Sequence, residues 1–134
     1  MIQNKIYHVS VDDVIKIVQE AKNSDNSHIV EISGAEIQSW EDYICKIEEA
    51  FSFPTPWTRT IDSYDDWMRD LDWLGKDSYI LVIHDYKNFL GQDLSLKKTI
   101  MEGFSDLILP WWQNEVEICA VGDKAKPFNI YLVD

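Results

Sequence analysis

The segment "SYILVIHDY", residues 78–86, restricts the fold more than any other part of the chain. Its apolar residues run on without the alternation that a strand with one wet face would show, so it needs cover on both sides. That is the pattern of a central strand in a parallel sheet, where helical crossovers lie on the faces. The flanking sequence supplies such helices. "NKIYHVS" reads as a short strand, and its terminal Ser10 is placed to cap a helix over "VDDVIKIVQEA", where Val14, Ile15, Ile17 and Val18 recur at helical spacing. "NSDNS" breaks the chain before a second strand, "HIVEISG". Ser39 followed by Asp42 resembles a capping box opening a helix over "SWEDYICKIEEAF", and the two prolines of "SFPTPW" force extended geometry after it. An acidic helix follows, with Gly75 at its C′ position; a later helix, "LKKTIMEGFSDLIL", is interrupted at Gly103 and stopped by Pro110. "VEICAVG" and "FNIYLVD" read as two final strands. The expected architecture is α/β: a small, mainly parallel sheet of three or more strands packed by three to four helices.

At 134 residues the chain has room for one core. It carries 24 acidic against 12 basic residues, a formal charge of −12, which disfavours nucleic acid and anionic membranes as direct partners and favours a basic one. Cys45 and Cys119 have no metal-binding spacing and read as small buried hydrophobes in a reducing compartment. Neither a signal peptide nor an apolar run of membrane-spanning length is expected, which points to the cytoplasm.

Much of the negative charge gathers in "TIDSYDDWMRDLDWL", residues 60–74. At about 100° per residue, Ile61, Tyr64, Trp67, Met68 and Leu71 share one arc, while Asp62, Asp65, Asp66, Arg69, Asp70 and Asp72 occupy the other side. The apolar arc is expected to pack on the sheet and hold the aspartates outward. A charged helix face is usually just a solvated one. Here, though, Asp62, Asp66 and Asp70 stand at i, i+4 and i+8, a like-charge row costing a few tenths of a kcal/mol per pair, about what favourable pairs contribute. Aspartate also gives up helix propensity relative to glutamate, while holding its carboxylate on a shorter and stiffer arm. A preorganised row of this kind suits a cationic groove, where the carboxylates would stand in for phosphates.

"FPTPWTRTIDSYDDWMRDLDWL" resembles the barstar family of ribonuclease inhibitors, in which an aromatic, proline-containing loop leads into an acidic helix of pattern D-x-x-x-D before a buried strand. "EISGAEIQSWEDYICKIEEAFSFP" is similar to the family's first strand, its I-x-G-x-x-I turn and its first helix, and the likeness extends over about residues 28–134. It implies a barstar-like domain at 28–134 with residues 1–27 as a strand-helix extension packed on it. By the same resemblance Asp62 and Asp66 are the two acids that enter a nuclease active site. Trp57 is the aromatic of the binding loop and Asp106 a further acid on a later helix, with Asp65 and Asp70 beside them. The chain departs from the pattern in having Thr58 and Thr60 where the family has glycine and asparagine, and in carrying Arg59 between them. The implied partner is a basic toxin nuclease, bound as protein to protein without cofactor or metal. The chain itself would be an immunity protein, monomeric, with a homodimer as the alternative.

Two other classes compete. An enzyme could use paired carboxylates, and His84 and Asp85 end the central strand where α/β sites gather. Against it, no GxSxG, HExxH, GxxxxGK[ST] or GxGxxG is present, and His8 and His28 suggest no metal triad. A binding module with a non-nuclease partner would use exposed aromatics. Of the adjacent Trp111 and Trp112 one should be core and the other partly exposed, and Trp40, Trp67 and Trp73 are assigned to packing.

Overall fold

The computed structural model describes residues 2–24, 26–119 and 123–134. Four strands, β1 (Ile6–His8), β2 (Ser27–Ser33), β3 (Ser78–His84) and β4 (Phe128–Leu132), form one wholly parallel sheet in the order β1-β4-β3-β2. In β3 the consecutive Leu81, Val82 and Ile83 are all fully buried. Because neighbours on a strand point to opposite faces, this burial requires two cores. Leu81 and Ile83 join the larger, which is built with α2 (Trp40–Ala50), α3 (Ile61–Met68) and the late helical segment. Val82 joins the smaller, formed with Val133 and with Val14 and Val18 of α1 (Val11–Ser24). The sheet is thus covered by three helical elements on one side and by α1 on the other.

The helix starts follow the expected chemistry. Ser10 Oγ accepts from Asp13 N at 3.1 Å, and Ser39 Oγ from Asp42 N at 3.1 Å, with Asp42 in turn accepting from Gln38 N at 3.0 Å. After β2 the backbone passes so close to the end of β3 that a side chain at Gly34 would stand 2.9 Å from His84 O and from Phe89 Cβ, which is why glycine occupies the turn.

Several expectations are corrected. The acidic helix ends at Met68, not before Gly75. The last turn tightens, with Arg69 N bonding Asp66 O and Asp70 N bonding Trp67 O, and Met68 O accepts from Trp112 Nε1 at 2.9 Å. Asp72 N, its intrahelical donor, bonds Asp70 Oδ1 at 3.2 Å. Leu71 turns left-handed at φ 55° and buries its side chain, and Gly75 closes only the short turn Asp72–Leu74. Pro110 does not stop the late helix. α4 (Leu94–Gly103) runs on through wide π turns at Phe104–Ile108 and Trp111–Glu115 into α5 (Val116–Cys119), with Pro110 helical at φ −62°, ψ −36°. The wide turns carry bonds five residues back, such as Leu109 N to Phe104 O, and so accommodate a residue without N–H. Gly103 does mark the start of that change. "VEICAVG" is therefore helical over Val116–Cys119, and its last three residues lie outside those described. Cys45 and Cys119 are exposed, not buried; Cys45 falls on the outer side of α2, between the buried Ile44 and Ile47.

Candidate protein-binding face

The acidic helix is fixed at its start by the loop that precedes it. Thr60 Oγ1 caps α3 by accepting from Ser63 N at 3.2 Å, filling the role at the position where the barstar pattern has asparagine. Thr58 Oγ1 bonds Ser63 Oγ at 2.5 Å, tying loop to helix a second time. Between them Arg59 is left-handed at φ 58°, and its carbonyl accepts from Trp40 Nε1 at 3.0 Å. Its guanidinium turns away from the acids, toward α2, with Nη1 3.2 Å from Glu41 Oε1, Nη2 3.1 Å from Cys45 Sγ and Nε 3.7 Å from Glu48 Oε1. The positive charge in the loop is thereby answered within the molecule. Trp57 is half-buried against Phe53, its Nε1 donating to Glu48 Oε1 at 2.5 Å.

Tyr64 and Met68 are the fully buried side chains of α3, with Ile61 and Trp67 partly buried beside them. Tyr64 shares a 2.5 Å hydroxyl bond with Tyr43 of α2; burial raises the pKa of both phenols and keeps them neutral. Asp62 and Asp66 stand exposed, one turn apart. Asp66 Oδ1 accepts from Arg69 Nη2 at 2.9 Å, and the Arg69 guanidinium lies 5.6 Å from the centre of the Trp111 ring. Asp65 is not outward. It is half-buried near Gly103, whose Cβ, if present, would lie 3.9 Å from Asp65 Oδ1. Burial raises its carboxyl pKa, Asp62 and Asp66 add to the rise, and Arg69 opposes it. Asp70 lies past the helix end, so the expected row of three acids is a row of two.

A groove of about 390 Å³ runs beside α3, lined by Pro56, Trp57, Thr58, Ser63, Asp66, Trp67 and Asp70. It brings Trp57, Asp66 and Asp70 together, with Asp62 and Asp65 on the same helix. Asp106 is exposed on the neighbouring π turn, a separate element. Sequence reasoning placed Arg69 among the acids without its partners; its i+3 spacing from Asp66 was the available signal. As expected, Trp112 is core and Trp111 partly exposed, while Trp40, Trp67 and Trp73 pack on the main cluster. His84 bonds Glu31 at 3.0 Å and Asp85 bonds Asn88, so the two do not act on each other. Among the described residues no group of His, Cys, Asp or Glu is arranged to hold a metal, and no helix is long and apolar enough to cross a membrane.

A parallel four-stranded sheet that carries a loop-anchored acidic helix defines a small α/β domain of the barstar-like fold. Residues 27–131 match the family model described as Barstar (barnase inhibitor), and the chain belongs to that family. Strand β1 and helix α1 precede the matched residues. No curated protein and no solved structure gives a significant match.

Proposed function

We propose that this chain is an inhibitor, and not itself an enzyme, that binds a basic nuclease and blocks its active site with α3. A toxin ribonuclease is the target that family membership favours, and an immunity role in the bacterial cytoplasm follows from such a target. The observation that carries the reading is the pair Asp62 and Asp66, exposed one turn apart on a helix whose start is pinned by Thr60, Thr58 and Trp40. Two carboxylates held on short side chains reach a cationic cleft with little entropy left to lose, and there they replace the phosphates of the nucleic acid. Asp65 and Asp70 add negative potential at close range, Trp57 lines the groove beside them, and Asp106 offers a further acid from the neighbouring π turn. The Arg69 bond to Asp66 is a solvent-exposed pair of small net worth, which a partner guanidinium can displace.

The test is inhibition of a basic nuclease domain encoded beside this chain or recovered with it. Stoichiometric addition should abolish RNA cleavage. The double variant Asp62→Ala/Asp66→Ala should keep its fold while binding weakens by about 2–5 kcal/mol, the scale for truncating one side of buried charge pairs. A complex that forms while cleavage continues undiminished would rule out an active-site block.

A further inference from the structure

We propose that the cavity between α1 and the starts of β2, β3 and β4 is a binding site for a linear diamine or polyamine, a ligand with an ammonium group at each end of a methylene chain. The site lies on the sheet face opposite α3 and is independent of the inhibitor reading. Two and four residues before Val82, on the same side of β3, lie Ile80 and Ser78, and Ser78 pairs in register with Ser27 of β2. Where Val14 and Val18 meet Val82 and Val133, the gap between helix and sheet is filled. At the strand starts it is not, because Ala21 on the helix and the two serines on the sheet carry too little side chain to close it. The result is a cavity of about 650 Å³, within the ordinary range for small-ligand sites. Part of its wall, Ile17, Glu20 and Ala21, belongs to α1 and so precedes the residues matched to the Barstar family model.

The lining sets the class of ligand. Glu20 on the helix and Asp77, just before β3, put a carboxylate on each of two walls, and none of the described residues lining the cavity is basic. Anions are therefore disfavoured, the more so at a net charge of −12. Asp77 accepts Asn26 Nδ2 on Oδ2 at 3.4 Å, which leaves its Oδ1 outside that bond. Ser27 and Ser78, whose hydroxyls bond each other, add oxygens able to accept N–H donors. The same walls are apolar at Ile17, Ala21, Ile80 and the Tyr131 ring, which is steadied by stacking on Tyr7 at 5.3 Å. Two carboxylates on separate walls answer two ammonium groups, and the apolar surface buries methylenes. A lysine side chain would bring one ammonium only. A divalent metal ion has no methylenes to bury and needs ligands that converge on one point, which acids on separate walls do not supply.

The full chain, labelled with ¹⁵N, is titrated with spermidine while its backbone amide signals are followed. Those of Ala21, Ser78, Ile80 and Asn129 should shift together along one saturating curve. At equal ionic strength butylamine, with one ammonium, should bind at least about threefold more weakly than 1,4-diaminobutane, and equimolar magnesium, matched to the diamine in charge, should not displace it. The double variant Glu20→Gln/Asp77→Asn should weaken spermidine binding about three- to tenfold with the remaining amide signals in place. Glu102→Gln/Glu115→Gln removes the same two charges from exposed positions on the late helical segment and should leave binding within about twofold. A curve that does not saturate, equal affinity for butylamine, or displacement by equimolar magnesium would each overturn the proposal. Equal losses in the two double variants would overturn it too, by showing general charge attraction in place of a site. None of these outcomes bears on nuclease inhibition, so the inhibitor reading stands or falls separately.

Discussion

At Asp65 the acidic helix half-buries a carboxylate against the neighbouring segment, and the consequence is a pH dependence of definite sign. Burial, reinforced by Asp62 and Asp66, holds the folded-state pKa above the unfolded one. The folded state therefore binds this proton more tightly, and stability from this group declines as pH rises from the unfolded pKa through the folded one. Above that window ionised Asp65 is a standing cost. Asp65→Asn should accordingly raise the melting temperature at neutral pH, and the gain should vanish in acid below the ordinary carboxylate range; a loss of stability at neutral pH would contradict the assignment. Periodicity could not reveal this cost, because a helical wheel separates apolar from polar sides and has no knowledge of a neighbouring helix against the polar one. The same limit applies to Cys45: residue type suggested a buried thiol, but its position on α2 leaves it outward, against Arg59.

The boundaries of α3 show local chemistry ruling one end of an element and tertiary contact the other. Its start follows from Thr60, and Thr60→Ala should cost about 1 kcal/mol in denaturant unfolding, with an unchanged m-value. Such a loss would also weaken partner binding if the loop-anchored helix is the binding element, since Asp62 lies in the first turn. Its end falls five residues earlier than Gly75 at C′ implies, although Gly75 is a good helix stop by residue type. What overrides it is Trp112, forty-four residues away, whose indole occupies Met68 O. Pro110 misled for a related reason. A proline normally ends a helix, but π turns on both sides carry this one through, and the carbonyls of Leu109 and Trp112 gain donors from Asn4 and Lys126. The strand reading of "VEICAVG" failed with it, since a helix that passes Pro110 leaves those residues helical.

Across the whole molecule, charge and cover are the two properties that matter. With a formal −12, encounter with a basic partner should be electrostatically steered, so the association rate should fall about tenfold or more between about 0.05 and 0.5 M salt, with a smaller change in dissociation. An association rate indifferent to salt would place the contact away from the acidic face. Cover of the second sheet face depends on α1, where Val14 and Val18 meet Val82 and Val133. We propose that residues 1–27 serve as an extension packed on the family domain, and Val14→Ala should then destabilise the whole chain in one cooperative transition, by about 1–3 kcal/mol. A separate early transition would mean that α1 folds independently of the sheet. The sequence by itself determined the α/β class, the central strand, the starts of α1 and α2 and the acidic character of α3, because those depend on residue type, periodicity and caps within a few positions. Only the tertiary structure decided where α3 stops, which of its acids face water, and that Trp57 of the loop and Trp67 of α3 line one groove, because each of those outcomes is set by packing that local periodicity does not encode.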